Sequence, residues 1–240
     1  MSEIKIIKSP ELNSNYLIIA KPQGMPSAPL NSDDKENAFS KAAALFPELY
    51  NVKGKKEIEH GLLHRLDTIT SGLLIIAADQ KTYENLIQLQ AENKIVKTYK
   101  ALCRKSFDNS QNLGGFPPAK KSTVPPFIVQ SYFRPYGNAR KEVRPVTEEC
   151  GMAALKKIGQ KKLYSTEITK IENLNDEECL CYCKIKNGFR HQIRSHLAWL
   201  NMSIKNDPIY DFYAKQNSSQ DKKIIFSAIE INIDGICYKL

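Results

Sequence analysis

His60-Gly-Leu-Leu-His-Arg-Leu-Asp-Thr-Ile-Thr-Ser-Gly-Leu-Leu-Ile-Ile-Ala-Ala78 sets a charged, turn-rich segment directly before a continuous apolar run. An unbroken apolar run of this length, bounded by turn residues, reads as a strand buried on both faces, here Leu73 to Ala78. Asp67 then lies a few residues upstream, among Thr68, Thr70, Ser71 and Gly72. Hydroxyl and backbone donors there can hold a carboxylate at the edge of a rigid core, which is how catalytic acids and nucleophiles are mounted. Taken alone, Arg65-Leu66-Asp67 also permits a plainer reading, an aspartate that caps a turn and pairs with Arg65.

Composition narrows the class. The 240 residues suit one medium domain with a real core. A net charge of +9 and a pI near 9.1 fit a polyanionic partner, although a basic surface also serves solubility. Lysine is the default cation, with only seven arginines among 35 basic residues. Apart from Arg104 they fall in three segments, as Arg65, as Arg134, Arg140 and Arg144, and as Arg190 and Arg194. Arginine suits planar bidentate contacts with phosphates or base edges, so these segments are the expected working surface. Cys179, Cys181 and Cys183 alternate and would share one strand face about 6.6 Å apart. Zinc-bound sulfurs stand closer, at roughly 3.8 Å, so small apolar residues of a reduced protein are the better reading. No apolar run approaches the ~20 residues of a spanning helix, no signal peptide opens the chain, and a soluble cytoplasmic protein without a membrane partner is expected.

Along the chain, Tyr16 to Ala20 reads as a strand running into the turn Lys21-Pro22-Gln23-Gly24. Asn31 to Asp34 offer caps for a helix with Phe39, Ala42, Ala43 and Phe46 on its core face. A second helix over Lys81–Asn93 carries Tyr83, Leu86 and Ile87, and an extended segment follows from Ile95 to Cys103. Ser106 to Pro126, with two glycines, four prolines and little to bury, reads as a long flexible loop. Ser131 to Val146 interleaves aromatics with arginines, the composition either of an RNA-stacking surface or of a hairpin with a solvated basic face. Leu163–Ile171 and Cys179–Lys186 read as paired strands. A helix from about Phe189 would bury Ile193, Leu197 and Leu200 and set Arg190 and Arg194 one turn apart. Ile224–Ile233 and Ile236–Leu240 form a closing hairpin around Asp234-Gly235.

His64-Arg65-Leu66-Asp67-Thr68-Ile69-Thr70-Ser71-Gly72-Leu73-Leu74 closely resembles the signature of the RluA-type family of RNA pseudouridine synthases. Lys21-Pro22-Gln23-Gly24, Lys97-Thr98-Tyr99-Lys100-Ala101, Arg190-His191-Gln192-Ile193-Arg194 and the Asn206-Asp207-Pro208 turn resemble its other elements. The family's first arginine in the fourth element is displaced by one position here. Asn206 replaces a glycine, a change that a left-handed turn tolerates. The resemblance implies an α+β fold of the pseudouridine synthase type, a mixed, mainly antiparallel sheet flanked by helices. It also implies a single catalytic domain over residues 1–240 without an N-terminal accessory RNA-binding domain, and a monomer with no obligate protein partner.

The function implied is isomerisation of specific uridines to pseudouridine in ribosomal or transfer RNA, with no cofactor and no metal. Asp67, Tyr99 and Arg194 would be catalytic: Asp67 as nucleophile or electrostatic partner of a sugar cation, Arg194 holding it ionised, and Tyr99 stacking on the base. Arg65, His64, Thr70, Arg140, Arg144, Arg190 and His191 would bind RNA. Two rival classes differ in what they require. A metal-dependent hydrolase would need His60 with His64 and His191 with His196, but the latter pair is five apart on a helix and diverges. A catalytically silent RNA-binding or ribosome-assembly protein would need the basic face but not Asp67, Tyr99 and Arg194 together.

Overall fold

The computed structural model describes residues 3–106, 108–118, 124–217 and 223–240. In chain order its elements are β1 (Lys5–Lys8), β2 (Tyr16–Lys21), α1 (Ala38–Leu45), β3 (Ser71–Ala77), α2 (Gln80–Ala91), β4 (Ile95–Lys105), α3 (Asn109–Leu113), β5 (Phe127–Tyr136), β6 (Glu142–Val146), α4 (Met152–Leu155), β7 (Tyr164–Asn173), β8 (Glu178–Ile185), α5 (Gln192–Trp199), β9 (Met202–Ile204), α6 (Phe212–Gln216), β10 (Phe226–Ile233) and β11 (Ile236–Lys239). The protein is α+β with mainly antiparallel strand pairs. It divides into two compact units, Met1–Thr98 with Ser227–Leu240, and Tyr99–Phe226.

In the first unit, β2 pairs antiparallel with β1 and β3, β3 pairs parallel with β10, and β10 pairs antiparallel with β11. The apolar run of the opening stretch is β3, buried from Gly72 to Ala77. Leu73 and Ile75 pack with Ile18 of β2, Ile231 of β10, and Tyr83 and Leu86 of α2. Helix α2 starts where Asp79 accepts from Thr82 N at 2.7 Å, a side-chain N-cap. Its buried stripe is Tyr83 and Leu86, whereas Ile87, expected beside them, lies at the margin and is 40% exposed. The cap of α1 is Asn37, not residues 31–34. Asn31 spends its side chain on its own turn, accepting from the backbone N–H groups of Asp33 and Asp34, the local competition that keeps such residues out of helices. Gly72 has φ +122°, and a Cβ there would stand 2.4 Å from both the N and the O of Ala228. The close parallel pairing of β3 with β10 therefore requires glycine at this position.

The second unit orders its strands β4, β8, β7, β5, β6, with β9 pairing β4. The β7–β8 pair forms as the sequence indicates, its turn closed by Asn175 Oδ1, which accepts from the N–H groups of Glu177 and Glu178. Cys179, Cys181 and Cys183 are buried on one face of β8, but the sulfurs of Cys179 and Cys181 lean to 3.7 Å. The wider spacing expected from strand geometry does not hold for that pair, because rotamers, not Cα positions, set the sulfur separation. Among the described residues no group of three or more His, Cys, Asp or Glu side chains is arranged to hold a metal ion.

Two expectations need correction in this unit. The stretch 106–126 was expected to be a long flexible loop, but within it Asn109–Leu113 is helical and Asn109 is fully buried. Asn109 Nδ2 donates to Ala198 O and Tyr210 O, its Oδ1 accepts from Phe212 N, and Trp199 Nε1 donates to Pro118 O. A polar side chain can anchor a segment that has few apolar groups, which a hydrophobicity count does not register. Residues 107 and 119–123 of the expected loop lie outside the described residues. Helix α5 begins at Gln192, not near Phe189, because His191 is left-handed at φ 56°. Arg190 therefore precedes the helix, and α5 is buried at all eight residues.

Candidate active site

The Asp67 turn is built entirely within the first unit. Gly61 to Leu63 run antiparallel beside β3, with Ala77 N donating to Gly61 O at 2.9 Å and Leu63 N to Ile75 O at 3.0 Å. Residues 64–70 turn the chain back into β3, closed by Thr70 N donating to Asp67 O at 2.9 Å. Asp67 thus sits on a short loop whose two ends are hydrogen-bonded to, or continuous with, the most buried strand of the unit. Its flanks are held from outside. Ser27 Oγ donates to Leu66 O at 2.8 Å and accepts from Leu66 N at 2.9 Å, and Gly24 N donates to Thr68 O at 2.8 Å. Gly24 of the Lys21-Pro22-Gln23-Gly24 element and Ser27 just beyond it therefore clamp the Asp67 turn.

Two buried lysines, and the half-buried His64 within the turn itself, set the electrostatics of this region in the same unit. Lys21 is 1% exposed, and its ammonium donates to Met25 O at 2.7 Å and Pro22 O at 3.0 Å. Burial pulls its pKa down to about 8, opposed by attraction to the Asp67 carboxylate. Lys97, 2% exposed on β4, is pulled to about 8 by burial. His64 is held well below the usual histidine range, first by burial and then by the Lys97 charge, so its imidazole is neutral near pH 7. Its Nε2 and the hydroxyl of Thr70 are buried without a hydrogen-bond partner among the described residues. Thr70, expected to touch RNA, is 2% exposed and belongs to the interior of the turn. Arg65 is the outward member, its side chain 54% exposed and its guanidinium 3.2 Å from Glu59 Oε1.

The second unit holds Tyr99 and Arg194, each against neighbours of its own. Tyr99 is 5% exposed and stacks on Phe226 at 5.7 Å between ring centroids. Arg194 makes a bidentate pair with Asp207, Nε to Oδ2 at 2.7 Å and Nη2 to Oδ1 at 2.9 Å, with both side chains buried. Its guanidinium also lies 5.1 Å from the centroid of Tyr210. Asp207 Oδ1 accepts in addition from the N–H groups of Ile209 and Tyr210, in a turn entered through Asn206 at φ +67°. Asparagine does adopt the left-handed conformation that the replaced glycine would have supplied. Asp207 was not singled out from sequence, and the Asn-Asp-Pro turn beside a buried helix was the signal for it. His191 Nδ1 lies 3.1 Å from the Tyr210 hydroxyl.

The remaining arginines separate by burial. Arg144, expected on the RNA surface, is 0% exposed. It pairs with Glu142 at 2.6 Å, donates to Gly114 O and Val143 O, and lies 4.4 Å from the ring centroids of both Phe116 and Tyr136. It is a structural cation, since a guanidinium can be stacked and hydrogen-bonded inside a protein in a way an ammonium cannot. Arg140 and Arg190 are exposed, joined by Arg190 Nη2 donating to Arg140 O at 2.6 Å.

A family described as RNA pseudouridylate synthase matches residues 15–199, a span that includes Asp67, Tyr99 and Arg194. The chain is 26% identical over 213 residues to ribosomal large subunit pseudouridine synthase D of Buchnera aphidicola, covering 88% of this chain and 57% of that protein. It is 29% identical over 206 residues to the protein of the same name from Borreliella burgdorferi, covering 82% and 52%. The chain spans about half the length of these curated relatives. The solved structure of human RNA pseudouridylate synthase domain containing 1 matches with a TM-score of 0.66 at 15% identity, over 99% of this chain and 82% of that one. That likeness is one of fold, and the α+β architecture is the one found in pseudouridine synthases.

Three stability outcomes follow from these contacts and from the burial of Lys97. Arg194→Ala strands the buried Asp207 carboxylate and is expected to cost about 3–5 kcal/mol in urea unfolding. Tyr99→Phe keeps the ring on Phe226 and is expected to cost about 1 kcal/mol or less. For Lys97, the folded pKa of about 8 lies below the 10.5 of an exposed lysine. Between those values the unfolded chain binds the extra proton, so stability from this group rises with pH and is lost as pH falls through about 8. Lys97→Met, which removes the buried charge at similar volume, is expected to raise stability by about 2–3 kcal/mol near pH 7. Thermal melts across pH should show that advantage fading by pH 10.5.

Proposed function

The chain belongs to the RNA pseudouridylate synthase family, and from that premise we propose that it isomerises uridine to pseudouridine within RNA, with Asp67 as the catalytic residue. In this reaction the N1–C1′ glycosidic bond breaks, the uracil turns, and C5 bonds to C1′ while its proton is lost and N1 gains one. Substrate and product have the same atoms, so the balance calls for no oxidant, reductant or second substrate. A carboxylate can serve as nucleophile or as electrostatic partner of a developing sugar cation. The observation that carries the reading is the Asp67 turn, where the aspartate of the signature is partly exposed, clamped on both flanks and attracted to the ammonium of Lys21. Tyr99 and Arg194 are the other proposed site residues, on the strength of their motif matches.

Ribosomal RNA is the substrate class we favour, since both bacterial relatives carry the large ribosomal subunit in their names; transfer RNA is the class to test against it. The exposed Arg65, Arg140 and Arg190 are the proposed RNA contacts, with His64, whose imidazole is neutral near pH 7, and His191 as further proposed neighbours of the RNA. All six cysteines are free thiols, which supports a reducing, cytoplasmic setting. A uridine inside folded RNA must leave the stack at a cost of a few kcal/mol, and a planar cation can fill the vacated gap. Arg65 suits that role because its own side chain is 54% exposed and its ion-pair partner, Glu59, is also engaged by Lys56, so the contact can be exchanged.

Asp67→Asn is expected to lower turnover by about 10³-fold or more while RNA affinity stays within a few fold. Tritium release from RNA labelled at uridine C5 measures this, and near-normal release by the mutant would remove Asp67 from the chemistry. Arg65→Ala is expected to reduce activity on a structured stem-loop at least about tenfold more than on a short unstructured oligonucleotide, where no stack has to be opened. Equal losses on the two substrates would make Arg65 a scaffold residue.

A further inference from the structure

We propose that Ser27 is a positioning residue for Asp67, a buried hydroxyl that fixes the backbone immediately before the carboxylate-bearing residue. This inference rests on the assignment of Asp67 as the catalytic residue. Ser27 is 4% exposed, and its one oxygen engages both main-chain polar groups of Leu66, donating to the carbonyl at 2.8 Å and accepting from the N–H at 2.9 Å. Leu66 as a residue is 6% exposed, so neither its N–H nor its carbonyl has ready access to water as an alternative partner. Beyond Asp67, Thr68 O is held by Gly24 N, from the same turn as Ser27. Leu66 and Thr68, the two chain neighbours of Asp67, are therefore both tied to residues 24–27.

That turn is itself anchored. Lys21 Nζ ties it from inside through Pro22 O and Met25 O. The carbonyls of Pro26 and Ser27 accept from Ala38 N and Phe39 N, the first amides of α1, at 2.9 and 3.1 Å. A link runs from the buried N-terminus of α1 through Ser27 to the peptide that sets the direction of the Asp67 side chain. Displacement of a reacting group by about 1 Å can cost on the order of a hundredfold in rate. The plain alternative is that Ser27 only satisfies a buried peptide; such a role shows in stability and leaves kcat of the folded protein alone.

Ser27→Cys and Ser27→Ala, assayed beside Asp67→Asn on an RNA stem-loop with thermal melts of each protein, separate these readings. Cysteine keeps nearly the same shape but is a weak hydrogen-bonding group. Ser27→Cys is expected to melt close to wild type, keep KM within about twofold and lose about tenfold in kcat, and Ser27→Ala to lose up to about a hundredfold. If Ser27→Ala does not fold, Ser27→Cys alone decides. A folded Ser27→Cys with kcat within about twofold of wild type overturns the proposal, and so does a Ser27→Cys that fails to fold, since Ser27 is then a residue of the fold. Activity in Asp67→Asn overturns the assignment of Asp67 itself. An inactive Asp67→Asn beside a fully active Ser27→Cys overturns only the positioning role.

Discussion

The burial of β3 on both faces is the constraint from which the Asp67 region takes its order. A strand packed on both faces holds its register through side-chain fit, because a slip by one residue would move every side chain to the opposite face, against neighbours of another shape. Here the register is fixed further by Gly72, where a Cβ would meet the Ala228 backbone at 2.4 Å. Leu62 and Ile76 face each other across the antiparallel entry segment, so the loop between that segment and β3 has both its length and its direction set by the core. Asp67 therefore has a defined place before any ligand is considered. A functional carboxylate on a freely hanging loop would have to be ordered at each encounter, at an entropic cost of about 1–2 kcal/mol for every residue fixed.

The electrostatics of the first unit follow from the same burial. Lys21 and Lys97 are drawn to pKa values of about 8, and His64 is held neutral. Ammonium groups inside a protein are costly, yet Lys21 has two carbonyl acceptors and an attractive carboxylate nearby, which offset part of that cost. Lys97 is pulled down by burial, and its charge is felt by His64. A neutral imidazole can donate one hydrogen bond and accept another, but it carries no charge with which to attract a phosphate. That is a different role from the phosphate-binding cation that a histidine in a basic motif suggests at first sight.

What the sequence disclosed and what it hid divide along a physical line. β3, α2, the β7–β8 pair and the β10–β11 hairpin were legible because each is written in local periodicity and turn chemistry. The Asp67 loop was legible because its motif is contiguous. Hidden were the partners that only tertiary structure supplies: Ser27 for Leu66, Asp207 for Arg194, and Asn109 for the carbonyls of Ala198 and Tyr210. Lys97 was half legible. It alternates with Ile95, Tyr99, Ala101 and Cys103, all buried, so the two-residue period of the strand already placed a lysine among inward-facing positions.

Arginine usage shows why composition cannot substitute for that tertiary knowledge. In a chain that otherwise relies on lysine, every arginine looks like a recognition residue, and Arg134, Arg140 and Arg144 look like one cluster. The structure splits them. Arg144 sits between Phe116 and Tyr136 with Glu142 at 2.6 Å, and Arg134 donates to Gly115 O from a position 5.0 Å from the Tyr136 ring centroid. These two bind the 114–116 backbone to the β5–β6 hairpin, a task for a delocalised cation that stacks and donates in a plane. Arg140, at the hairpin tip with φ 56°, keeps its side chain in solvent and lends its carbonyl to Arg190. The same chemistry that makes arginine a good reader of phosphates and bases makes it a good internal brace, and only burial tells the two uses apart.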